Sequence, residues 1–151
     1  MSHCLIVELS DNPVAYHDRV YTDHFDDDMD IQHVADYICE VDNIDEALKT
    51  FLRELGDSVE YNAEENSITF KDSTKFFQES YLRFLHLIDT MSIDKFCNPH
   101  WSYQITNSVS PLFGTYIYHT GECSYSINDF IRLYGATDKK FYIGGILDYH
   151  C

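Results

Sequence analysis

The chain has 151 residues, the length of one domain, and its 44% hydrophobic content is enough to bury a core, which excludes a disordered polypeptide. No run of about 20 apolar residues and no basic segment leading into an apolar stretch occurs, so neither a membrane span nor a signal peptide is expected. Ten Lys and Arg against 26 Asp and Glu give a net charge of −16, which argues against direct contact with nucleic acid or an anionic membrane, since both require a basic patch.

Residues 4–9 (CLIVEL) read as a short buried strand, and Asp11-Asn12-Pro13 as a turn. Residues 14–21 are expected to form a second strand. An aspartate run follows at Asp23, Asp26, Asp27, Asp28 and Asp30. Ile31, Val34, Ala35, Ile38 and Cys39 then keep the spacing of one helical face, with acids at its positive end. A second helix is better marked. Asn43 and Glu46 make a box-like start, Ile44, Ala47, Leu48, Phe51, Leu52 and Leu55 form its face, and Gly56 stops it.

Residues 58–61 and 67–70 flank a polar stretch and predict a β-hairpin. Ser73 is expected to cap a long helix with Phe77, Tyr81, Phe84, Leu85 and Ile88 on its buried side, running brokenly to Phe96. Residues 100–106 and 113–119 are aromatic and strand-prone. Ser126 with Asp129 predicts a capped helix over Ile127, Phe130, Ile131 and Tyr134, ended by Gly135. Residues 141–149 close the pattern as a strand, and Gly144-Gly145 within it predicts a bulge or a close backbone approach. The fold expected is α+β: a single domain over residues 1–151 with a mainly antiparallel sheet, hairpins and four helices. Its residues 1–65 read as acidic and helix-rich, and 66–151 as aromatic and strand-rich.

The charge is concentrated. Residues 1–65 hold 18 acids and three bases (Arg19, Lys49, Arg53), a net of −15, while residues 66–151 are close to neutral. Asp26, Asp28 and Asp30 share the spacing of a calcium loop. Ile31 stands where that loop needs Gly and Tyr37 where it needs a bidentate Glu, so an EF-hand is rejected. Five cysteines, an odd number, fit reduced thiols in the cytoplasm. Cys97, His100, His119 and Cys123 have zinc-like pair spacings, provided that the chain between them folds back. No phosphate loop, nucleophile elbow or His-Glu-x-x-His motif occurs. No enzymatic activity, cofactor or resident metal is therefore expected.

The leading expectation is an acidic cytoplasmic inhibitor that mimics DNA or RNA and occupies the basic nucleic-acid groove of another protein, such as a defence nuclease. Small acidic phage antagonists of such nucleases, among them anti-CRISPR and anti-restriction proteins, are similar to this chain in composition only. The residues expected to carry binding are Asp23, Asp26, Asp27, Asp28, Asp30, Asp36, Glu40, Asp42, Asp45 and Glu46, with Tyr21 and Phe25 as apolar anchors. One alternative is a zinc protein or metal-dependent enzyme built on the four Cys and His residues. Another is an acidic interaction subunit with no link to nucleic acid.

Overall fold

A computed structural model describes residues 3–151. Seven strands form one mixed sheet: β1 (His3–Ser10), β2 (Tyr37–Glu40), β3 (Val59–Asn62), β4 (Ser67–Phe70), β5 (Tyr116–His119), β6 (Ser124–Ser126) and β7 (Lys140–His150). Among the described residues six α-helical segments accompany them, two more than expected: α1 (Met29–Gln32), α2 (Ile44–Leu55), α3 (Thr74–Asp89), α4 (Ile93–Phe96), α5 (Pro99–Val109) and α6 (Ile127–Tyr134). The order across the sheet is β3-β4-β7-β1-β5-β6, and β2 also pairs with β7. β1 and β5 run parallel, and the other pairings are antiparallel.

Strand alternation divides the side chains between two cores. On one face Val7, Leu9, Ile117, Phe141, Ile143 and Ile146 meet Ala47, Phe51 and Leu55 of α2 and Ile127, Phe130 and Ile131 of α6. On the other, Ile6, Leu147 and Tyr149 are covered by Val20, Phe25, Ile31 and Val34. The acidic segment is thus not a tail. Val20, Phe25, Ile31 and Val34 cap one side of the sheet, and Asp23, Asp26, Asp27 and Asp30 beside them stay at the surface.

The expected helix over 31–39 is corrected. Helix α1 stops at Gln32, and residues 37–40 form β2 instead. Four of the five apolar residues, Ile31, Val34, Ala35 and Ile38, do reach the second core, whereas Cys39 faces the other side of the sheet beside Asp148. The backbone takes another route, since Tyr37, Ile38 and Cys39 find an open edge at the end of β7, where Tyr37 pairs with His150. The expected strand over 14–21 is an irregular segment with a single 3₁₀ turn at Tyr16–Asp18. Its one firmly buried side chain is Val20, whose N–H is taken by a side chain of β1. Residues 100–106 belong to α5, not to a strand. Asn98 caps that helix through the His100 N–H at 2.9 Å, and Pro99 suits its first position.

Ser73 does not cap α3. The Asp72 carboxylate takes the Thr74 N–H, while the Ser73 hydroxyl bonds the Gly135 carbonyl. The break after Asp89 is real, and Ser92 caps the short α4. Ser126 behaves as expected, its hydroxyl accepting the Asp129 N–H at 3.2 Å. Ser126→Ala should therefore cost about 1 kcal/mol in urea unfolding. An unchanged midpoint would mean that this cap contributes nothing.

Candidate functional site

The structure places Asp23, Asp26, Asp27, Asp30, Asp36, Glu40, Asp42, Asp45 and Glu46 at the surface. Asp23, Asp26 and Asp36 line one cleft, floored by Phe25 and Ile38 and walled by Tyr37. Asp30 lies apart from them, in a wider hollow between α1, α5 and β6 that also takes in Met29, Tyr103 and Tyr125. Asp42, Asp45 and Glu46 surround the start of α2, where Asn43 accepts the N–H groups of Asp45 and Glu46 at 3.0 and 3.2 Å. Carboxylates at that end of a helix are favoured by its dipole. Among the described residues, Glu46 is the one member of the set in an ion pair, with Lys49 at 2.7 Å. That lysine holds the Glu46 carboxyl below the usual range.

Two of the expected contact residues have structural roles. Asp28 is half-buried: one oxygen caps α1 through the N–H groups of Asp30 and Ile31, and the other accepts the Ser124 hydroxyl at 2.6 Å. Phe25 is only 1% exposed and lies edge-on to Tyr118, so it is a core residue and not a surface anchor. Tyr21 is exposed, as a contact residue requires.

The four zinc-spaced residues are not gathered. Cys97 and His100 are exposed near the start of α5, and His100 contacts Gln104 at 2.7 Å. His119 is buried at the end of β5, and Cys123 is exposed in the turn that follows. Helix α5 forms where a returning strand was needed, so the two pairs are not drawn into one ligand set. Among the described residues, the one cluster of three His, Cys, Asp or Glu side chains close enough to share an ion is a different one: His3, Asp148 and His150.

That cluster arises from strand register. His3 pairs with His150, His150 with Tyr37, and Asp148 with Leu5 and Cys39. Residues two apart share a face, so Tyr37, His150 and His3 form one row and Cys39, Asp148 and Leu5 the next. The His3 Nδ1 lies 2.6 Å from Asp148 Oδ2, and His150 Nε2 lies 3.3 Å from the same oxygen. The second ring nitrogen of His150 meets the Tyr37 hydroxyl at 3.0 Å. Burial and the neighbouring carboxylates of Asp148 and Asp42 push the Cys39 thiol up.

Two further polar clusters escaped the sequence reading. Glu8 is a buried carboxylate toward the C-terminal end of β1. The N–H groups of Val20 and Gly145 donate to its Oε2 at 3.1 and 2.7 Å, and the Thr120 hydroxyl donates to Oε1 at 3.2 Å. The β1–β7 register slips at this point, setting Gly144 and Gly145 opposite Glu8 in the bulge that the glycine pair suggested. His119, ringed by Phe130, Tyr134 and Phe141, has Glu122 Oε2 at 3.2 Å and Asp11 Oδ2 at 3.5 Å. The Tyr134 hydroxyl donates to Glu122 at 2.6 Å and holds that carboxyl below its usual range, while the same bond pushes the phenol up.

No protein-family model, no curated protein and no solved structure matches this chain.

Proposed function

We propose that this chain is an acidic binding protein, and that the surface of residues 23–46 engages the basic nucleic-acid groove of another protein. The observation that supports this reading most is charge left without partners. Of the ten expected contact carboxylates, Glu46 alone has a cationic partner among the described residues. Carboxylates without internal partners keep their full field outside the molecule. Such a field raises the encounter rate with a cationic groove and repels polyanions. The cleft holding Asp23, Asp26 and Asp36 adds an apolar floor and the Tyr37 ring, features that bind better than charge alone. The segment is also anchored through its buried residues, so it is presented as a shaped surface.

The test uses five replacements: Asp23, Asp26, Asp27, Asp30 and Asp36 to Asn. Asp28 is left intact because it caps α1. The target is captured from bacterial lysate with and without nuclease treatment, then purified for rate measurements. Binding should survive nuclease treatment and be displaced by DNA or RNA. The five replacements should slow association about tenfold at low salt, and the difference should fade as added salt shortens the screening length. Asp89→Asn, Asp94→Asn and Asp138→Asn, outside the segment, should leave the rate nearly unchanged. Equal losses from both sets would reduce the effect to net charge. Capture of a target that DNA and RNA do not displace would favour an interaction subunit with no link to nucleic acid.

A further inference from the structure

We propose that His3, Asp148 and His150 form a binding site for one divalent transition-metal ion, with Zn²⁺ the best chemical match. This goes beyond the acidic-surface reading and revises the expectation of a metal-free chain. Two strands deliver the donors, and a third supports them. His3 comes from β1, Asp148 and His150 from β7, and β2 supplies Tyr37 behind them. One donor atom from each of the three residues lies within 4.8 Å of the others, and Asp148 Oδ2 is in reach of both His3 Nδ1 and His150 Nε2.

The donor types select the ion. Two imidazoles and one carboxylate are the ligands of a three-residue zinc site with an open fourth position. Mg²⁺ and Ca²⁺ prefer all-oxygen shells. Donors on a tetrahedral zinc, with bonds of about 2.0–2.1 Å, stand about 3.3 Å apart. His150 and Asp148 are already at 3.3 Å, and His3 and Asp148 are closer, at 2.6 Å. The His3 side chain is 64% exposed, so its ring is free to swing outward and let an ion enter. Asp148 and His150 are 17% and 8% exposed, held in the sheet from which His3 projects. Solvent therefore reaches the cluster from the His3 side, where a water would complete the shell.

Tyr37 is the positioning residue. Its hydroxyl meets His150 Nδ1 at 3.0 Å, and its ring stacks on the imidazole at a centroid distance of 4.1 Å. A partner on the remote nitrogen of a ligand histidine sets the ring's orientation and tautomer, and leaves Nε2 to face the ion.

The experiment is calorimetric titration of Zn²⁺ into tag-free, chelator-stripped full-length protein, with metal content checked by mass spectrometry. One Zn²⁺ per chain is expected, with a raised melting temperature, and millimolar Mg²⁺ or Ca²⁺ should not displace it. His3→Ala and Asp148→Asn should each weaken binding by more than about tenfold, and Tyr37→Phe by about tenfold with the stoichiometry unchanged. His3→Ala is the decisive variant, because an exposed side chain can be removed without unfolding the sheet, and circular dichroism checks that it folds. Absence of stoichiometric binding would overturn the proposal. So would affinity that is unchanged in His3→Ala and Asp148→Asn, or that is lost in Cys97→Ser or Cys123→Ser.

Discussion

Replacing Gly144 with alanine is expected to cost about 3 kcal/mol, a fall of roughly 6–12 °C in melting temperature for a chain of this size. A Cβ at this position would stand 2.2 Å from Glu8 Oε2 and 2.8 Å from its Cγ. The side chain cannot step aside cheaply, because it is buried and holds three hydrogen bonds. Moving it would strand the Val20 and Gly145 N–H groups and leave a carboxylate badly placed in the interior. At Gly145 the nearest atom to a new Cβ is the Val20 carbonyl oxygen at 3.0 Å, so Gly145→Ala should cost less, about 1 kcal/mol. A double-mutant cycle isolates the cause. In a Glu8→Ala background the clash is gone, and Gly144→Ala should lose most of its penalty. An additive pair would point to some other constraint on the bulge.

The second large effect is expected at Phe25. Phe25→Ala should destabilise the protein by about 3–5 kcal/mol, the usual cost of emptying a filled aromatic site. The ring packs with Ile6, Ile31 and Leu147, beneath the carboxylates proposed to bind. Tyr21→Ala, a few residues away but exposed, should shift stability by no more than about 0.5 kcal/mol. The pair separates two meanings of an aromatic residue within an acidic run. If Phe25→Ala leaves the unfolding midpoint intact yet abolishes target binding, the ring is a contact after all. Limited proteolysis provides a second readout, since residues 14–36 should become cleavable in Phe25→Ala and stay protected in Tyr21→Ala.

Elements whose signals are local were legible in the sequence. Helix α2, with Asn43 and Gly56 at its ends, and α6, with Ser126 and Gly135, needed only spacing and caps. The β3–β4 hairpin and the glycine bulge in β7 were legible for the same reason. Residues 31–38 show how a correct burial pattern misleads. Four apolar side chains at helical spacing do face one core, but a short helix, a turn and a strand bring them there. At 100–106 the aromatic content outweighed the Asn98-Pro99 start signal that marks α5. The candidate sites divide in the same way. The acid run is visible as composition, but which of its members are caps or core depends on packing that composition does not carry. The His3–Asp148–His150 cluster needs the β1–β7 register, a relation between residues 145 positions apart. The Asp-x-His step within β7 was the one local hint of it.

Strand β7 pairs with β1, β2 and β4, so the last strand described holds three others in place. During synthesis, β1 and β2 emerge long before the strand that completes them. Until residues 140–150 leave the ribosome, the Glu8 carboxylate lacks its Gly145 donor and Ile6 lacks its partner Leu147. Parallel pairing of β1 with β5 is equally delayed, because residues 116–119 lie more than 100 positions downstream. Residues 1–65, which bear nearly all the net charge, are therefore made before most of the strands they pair with. Mutual repulsion among its carboxylates opposes collapse and self-association during that interval. The charge proposed to face a partner in the finished molecule would thus also disfavour self-association of a nascent chain with many long-range contacts.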